Sequence, residues 1–121
     1  MKGDKKIIDI LNDPRVDLSA RLKAVEALGN LGDLRGVRPL MQALRDPESE
    51  IRGNAALSLG MLGDHKAFGS LVVALEDPVF DVRRQAVEVL SVLKLEGAVL
   101  PLTELARSPN PGSRMLAVTV L

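Results

Sequence analysis

Along 51–62 the apolar positions Ile51, Ala55, Leu59 and Leu62 follow one another at intervals of four, four and three. Residues three and four apart are neighbours on a helix of about 3.6 residues per turn, so this spacing predicts one buried helical face. Upstream, Val37, Leu40, Met41 and Leu44 make a second stripe of the same kind. Asp46-Pro47 lies between the two. Proline lacks an N–H and clashes with the preceding turn inside a helix, so the pair marks a break. The stretch predicts a helix, a turn and a helix. Pro39 and Pro101 fall near the start of the first helix of a pair, where a missing donor does little harm.

The pattern repeats. Leu28, Leu59, Leu90 and Leu121 stand 31 apart, and so do Arg21, Arg52, Arg83 and Arg114. Ala24, Ala55, Ala86 and Ala117 form a third such column. Leu31, Leu62 and Leu93, then Leu40, Leu71 and Leu102, and Pro47, Pro78 and Pro109 hold the same frame. Near the start the frame shifts. Asp13-Pro14 precedes Asp46-Pro47 by 33, so two extra residues lie between Pro14 and Arg21. At that offset Ile7, Ile8 and Leu11 match Leu40, Met41 and Leu44, which makes the opening segment the first half of a repeat. A helix pair of this size buries its stripe only by stacking on its neighbours.

The phrase "LGNLGD" at 28–33 returns as "LGMLGD" at 59–64. A phosphate site needs glycines before a helix, with N–H groups aimed at the ligand. A nucleic-acid clamp of the Gly-x-x-Gly kind also needs basic residues in or beside the loop. Here the first glycine falls inside the last turn of a helix, in a column reading Gly29, Gly60, Ser91. A column of small residues predicts a close helix approach. Gly32 and Gly63 follow the last apolar residue of the stripe, the position where a helix ends in a left-handed turn. Asp33 and Asp64 suit an N-cap for the next helix. The phrase therefore reads as punctuation. The third copy, "LSVLKLEG", has Lys94 in the stop position and Gly97 three residues later, so a differently shaped corner is expected there.

Composition agrees with packed helices. The 121 residues are 46% hydrophobic, yet only Phe68 and Phe80 are aromatic. A β-sandwich of this size draws more on aromatic and β-branched residues. The 16 basic residues balance 16 acidic ones, which gives no electrostatic reason to expect nucleic acid or an anionic membrane as partner. Cysteine is absent, excluding disulfides, thiolate nucleophiles and Cys-ligated zinc. The opening "MKGDKKIIDILND" has too short an apolar stretch for a signal peptide or a membrane span. A cytoplasmic location is the default expectation.

The string Asp-Pro-x-x-x-Ile/Val-Arg at 46–52 and 77–83, within "DPESEIRGNAALSLGMLGD" and before "FGSLVVALEDP", resembles the short bacterial and archaeal HEAT-like repeat. It is most similar to the repeats of phycobilin-lyase subunits. Ser108 replaces the aspartate in the fourth copy. The resemblance implies an all-α, right-handed α-α superhelix of four helix pairs forming a single domain over 1–121. The repeats fall approximately at 4–32, 33–63, 64–96 and 97–121, the last truncated. First helices would lie outside and second helices would line a concave face. It also implies that Asp46, Arg52, Asp77 and Arg83 join neighbouring repeats through hydrogen bonds.

Residues that could carry chemistry have plainer roles. His65, the single histidine, sits at a predicted helix start rather than beside a nucleophile and an acid. Some HEAT-like enzymes hold a di-iron centre with His-Glu pairs, and no His-Glu pair occurs here. The carboxylates at Glu48 and Glu50 and at Glu76 and Asp77 fall in turns or at helix ends, where capping and solvated acids are common. No catalytic residue, metal or cofactor is expected, and the chain is read as non-enzymatic.

On the expected concave face, columns off the buried stripe read Lys23, Asn54, Gln85; Glu26, Leu57, Glu88; and Asn30, Met61, Val92. Arg84 stands in a neighbouring column. Leu57, Met61 and Val92 make an apolar patch flanked by charge, a docking site for a protein partner. The plainer alternative is a solvated face with scattered apolar residues. Two other readings stay open: a phycobilin-lyase-type subunit acting with a partner chain, and a HEAT-like nucleic-acid-binding module. The last helix, 113–121, ends on the core leucine column with no polar cap. The expectation is that the chain is a fragment of a longer array or that its C-terminal face packs against another copy.

Overall fold

A computed structural model describes residues 2–93 and Arg107, with side chains from Lys6 onward. Among the described residues six helices follow in order: α1 (Lys2–Asn12), α2 (Leu18–Leu31), α3 (Val37–Ala43), α4 (Ser49–Leu62), α5 (Phe68–Ala74) and α6 (Phe80–Leu93). No strand occurs among the described residues. Helices α2, α4 and α6 pack side by side, and α1, α3 and α5 each pack on the long helix that follows them. The result is a two-layer, all-α solenoid of stacked helix pairs.

The period seen in the sequence is a period in space. The long helices α2, α4 and α6 each have 14 residues and begin at Leu18, Ser49 and Phe80, 31 apart. The two extra residues of the first repeat are therefore absorbed in the turn before α2 and leave the helix register intact. There Asp17 caps α2, its carboxylate accepting the N–H of Ala20 at 2.8 Å.

The Gly-x-x-Gly-Asp corners are built as punctuation. Gly32 and Gly63 end α2 and α4 with φ of 67° and 65°, the left-handed region that a Cβ disfavours. Asp33 and Asp64 then accept the N–H two residues on, at 2.9 and 2.8 Å. Each thereby caps a single 3-10 turn, Leu34–Gly36 or His65–Ala67, that feeds α3 or α5. His65 is exposed at the start of that turn. The corner at Lys94, the fourth repeat and the C-terminal face lie outside the described residues.

The core is aliphatic and continuous. The column leucines Leu28, Leu59 and Leu90 are buried, as are Leu40 and Leu71 beneath the short helices. Gly29 and Gly60 set how closely the long helices approach. A Cβ at Gly29 would lie 2.8 Å from Ser58 Oγ and 3.0 Å from Ser58 Cα, whereas one at Gly60 would meet only Val89 side-chain atoms, the nearest at 2.8 Å. Alanine raises helix propensity by about 1 kcal/mol over glycine. Overpacking opposes it by about 1–3 kcal/mol. At Gly29 a backbone atom must give way, so Gly29→Ala is expected to destabilise by about 1–2 kcal/mol. Gly60→Ala should lose less, because Val89 can shift. Urea unfolding of the two variants checks the order.

Candidate functional site

Each Asp-Pro turn is tied by its own aspartate. The carboxylates of Asp13, Asp46 and Asp77 accept the N–H of Arg15, Glu48 and Val79, each at 2.9 Å. At Asp13 the exposed Arg15 guanidinium also donates, and this holds the Asp13 carboxyl below its usual range. The folded group is thus favoured in its charged form, a contribution that fades as pH falls through that lowered value.

At the next two turns the arginine comes from the preceding repeat. Arg21 pairs with Asp46, and Arg52 grips Asp77 through Nε at 2.8 Å and Nη2 at 3.1 Å. The same arginines hold backbone carbonyls left open where the short helices end: Arg21 donates to Leu11, and Arg52 to Asp46 and Pro47. These form a ladder between repeats, with both side chains of the Arg52–Asp77 rung nearly withdrawn from solvent. The bidentate fork suits arginine and could not be matched by lysine. Arg83 donates to the Asp77 carbonyl at 2.6 Å and lies over the Phe80 ring, 5.5 Å from its centre. Its buried Nε has no hydrogen-bond partner among the described residues. The position 25 further on, occupied by Asp46 and Asp77 in the upstream rungs, is Ser108, which lies outside the described residues.

The outward side of the long helices carries the residues singled out in the columns. Lys23, Glu26 and Asn30 on α2, Met61 on α4, and Arg84, Glu88 and Val92 on α6 are exposed. Asn54 is half-buried and donates to the Glu50 carbonyl at 2.9 Å, so its amide is partly committed to its own helix. Gln85 is half-buried too; its side chain lies across Gly53, where a Cβ would stand 1.9 Å from Gln85 Oε1. Leu57 is half-buried against the core.

The face is graded along its length. At the first turns of α4 and α6 a hollow of about 160 Å³ is lined by Glu50, Asp81, Arg84 and Gln85. At the last turns a shallow groove of about 300 Å³ lies between Leu57, Gly60 and Met61 on one side and Glu88, Val89 and Val92 on the other. Met61 is 61% and Val92 79% exposed, too much for stray core residues. Arg84 and Glu88 pair along the rim at 3.4 Å. Among the described residues no three His, Asp or Glu side chains converge as metal ligands would.

Two residues that tie repeats together, Ser58 and Arg21, carry no such role in the sequence pattern alone. Ser58 is buried, and its hydroxyl donates to the Val25 carbonyl at 2.9 Å, joining α4 to α2. Its signal is a lone polar residue in a column otherwise filled by Ala27 and Val89. Arg21 makes the first rung, and its column with Arg52 was the available sign.

The family model for HEAT repeats matches residues 5–91. The chain belongs to the HEAT-repeat family. Among solved structures it is similar to the complex of CpcE and CpcF of phycocyanin lyase from Nostoc sp. PCC7120, with 23% identity and a TM-score of 0.71. The match covers 98% of this chain and 51% of that one, so this chain spans about half the length of that structure's chain. At that identity the likeness is one of fold. No curated protein matches the sequence. No described helix is long and apolar enough to cross a membrane.

Proposed function

We propose that this HEAT-repeat chain is a non-enzymatic scaffold that seats a protein partner on the concave face, at α4 and α6. The observation that carries the reading is the pair Met61 and Val92. They stand on adjacent helices, exposed, at the mouth of an apolar groove with a charged rim. Apolar surface grouped in this way, inside a polar border, is what transient protein interfaces present. Without Trp or Tyr on the chain the usual anchors of tight interfaces must come from the partner. Affinity capture with Met61→Asp and Val92→Asp tests it, because both side chains are exposed and their replacement should leave the core intact. A partner lost with both variants and kept with Val73→Asp, an exposed site on a short helix, supports the proposal. Capture unaffected by both variants overturns it.

A second reading is a phycobilin-lyase-type subunit that works with a partner chain. It is favoured by the fold likeness to the CpcE–CpcF complex, and by the half-length span of this chain against it. Titration with a bilin, alone and with a candidate partner subunit, should shift the pigment's absorbance if this holds. An unchanged spectrum in both arms removes it.

A further inference from the structure

The short-helix side of the solenoid holds a cavity of about 550 Å³ between α3 and α5, apart from the long-helix face. It exists because α5 is thin there. Gly69 stands where the preceding repeat has Arg38, and a Cβ at Gly69 would meet nothing within 4 Å. Its size is that of small-molecule sites, which commonly span about 300–1,000 Å³.

The lining has two characters. Gly69, Ser70 and Val73 line the α5 side along one helical stripe, and Lys66 joins them from the 3-10 turn before it. Met41 and Leu44 line the α3 side and form an apolar floor with the buried Ala74, while the exposed Val73 stands at its edge. Lys66 is in the 3-10 turn that leads into α5, and Ser70 is in the first turn of that helix. Arg45 and Glu76 stand in the same repeat position at the far ends of α3 and α5. Among the described residues, neither Lys66 nor Arg45 has a salt-bridge partner. Arg45 and Glu76 carry opposite charges with no salt bridge between them, and Lys66 is the lining cation nearest Ser70 along the chain. Asp77 also lines the cavity, but its carboxylate is held by Arg52 and the Val79 N–H.

We infer that this cavity binds a small carboxylate with an apolar body, its anion between Lys66 and Ser70 and its chain along Val73, Met41 and Leu44. The ammonium and hydroxyl supply donors, and the floor takes the chain out of water. A cationic amphiphile would meet Lys66 as a like charge.

The test is calorimetric titration of the full chain with octanoate below its micellar concentration, with octyltrimethylammonium as the opposite-charge arm. Amide shifts at Gly69, Ser70 and Val73 locate the site. Octanoate is expected to bind and the ammonium amphiphile not to. Lys66→Gln should weaken octanoate about fivefold or more by removing a charge-assisted bond. Gly69→Leu fills the space with a better helix former, so it should abolish binding while circular dichroism stays unchanged. Met61→Asp, on the other face, should leave binding as it is. Equal affinity for both amphiphiles, no octanoate binding, or binding that survives both Gly69→Leu and Lys66→Gln overturns the inference.

Discussion

Arg52→Ala is expected to lower stability by about 3 kcal/mol, a large share of what a chain of this size commands. The variant strands the Asp77 carboxylate, whose side chain is 8% exposed, and releases the carbonyls of Asp46 and Pro47. Removing one member of a nearly buried pair is costly because the remaining charge keeps only the Val79 N–H and little water. The loss should also change the form of the transition. Repeats are coupled to their neighbours, and Arg52 is the polar tie between the second and third. Urea unfolding is therefore expected to broaden, with a lower slope, as the two sides separate. Arg52→Lys should recover only part of the loss, since an ammonium cannot span the carboxylate and both carbonyls. Arg84→Ala breaks the exposed pair with Glu88 and should cost about 0.5 kcal/mol or less. If Arg52→Ala unfolds like Arg84→Ala, the ladder does not hold the repeats together.

Leu59→Ala is the other large effect, about 3–5 kcal/mol. Leu59 is 1% exposed on α4, which has a long helix packed on each side. The cost of such a truncation depends on how far the surroundings collapse into the space left. Here collapse is opposed. The α2–α4 approach is already limited by Gly29 against Ser58, and the ladder fixes the spacing between repeats. Leu62→Ala, at a half-buried position in the last turn of α4, should cost clearly less. Comparable midpoints in thermal or urea unfolding would show that the repeats relax toward one another more freely than the packing implies.

The architecture was readable where the signal is local and recurrent. Four-fold columns such as Arg21, Arg52, Arg83 and Arg114 mark a repeat regardless of how the repeats are arranged in space. The start of each long helix, the left-handed stop at Gly32 and Gly63 and the caps at Asp33 and Asp64 follow from chemistry within a few residues of the chain. The candidate face was only partly readable. Lys23, Glu26, Met61, Arg84, Glu88 and Val92 are exposed at spacings a helical wheel can supply. Leu57 is half-buried against the core, the half-buried Asn54 bonds the Glu50 carbonyl of its own helix, and the half-buried Gln85 lies across Gly53 of the adjoining repeat.

By itself the sequence determined the repeat length, the helix pairs, their stops and starts, and the residues able to tie one pair to the next. All of these rest on periodicity or on contacts close along the chain. Only the tertiary structure decided which arginine meets which aspartate 25 residues away. It also decided that Gln85 covers Gly53, and that Gly69 leaves a cavity between α3 and α5. Those outcomes depend on the side chain that the neighbouring repeat presents at the same height, and a single helix carries no record of its neighbour.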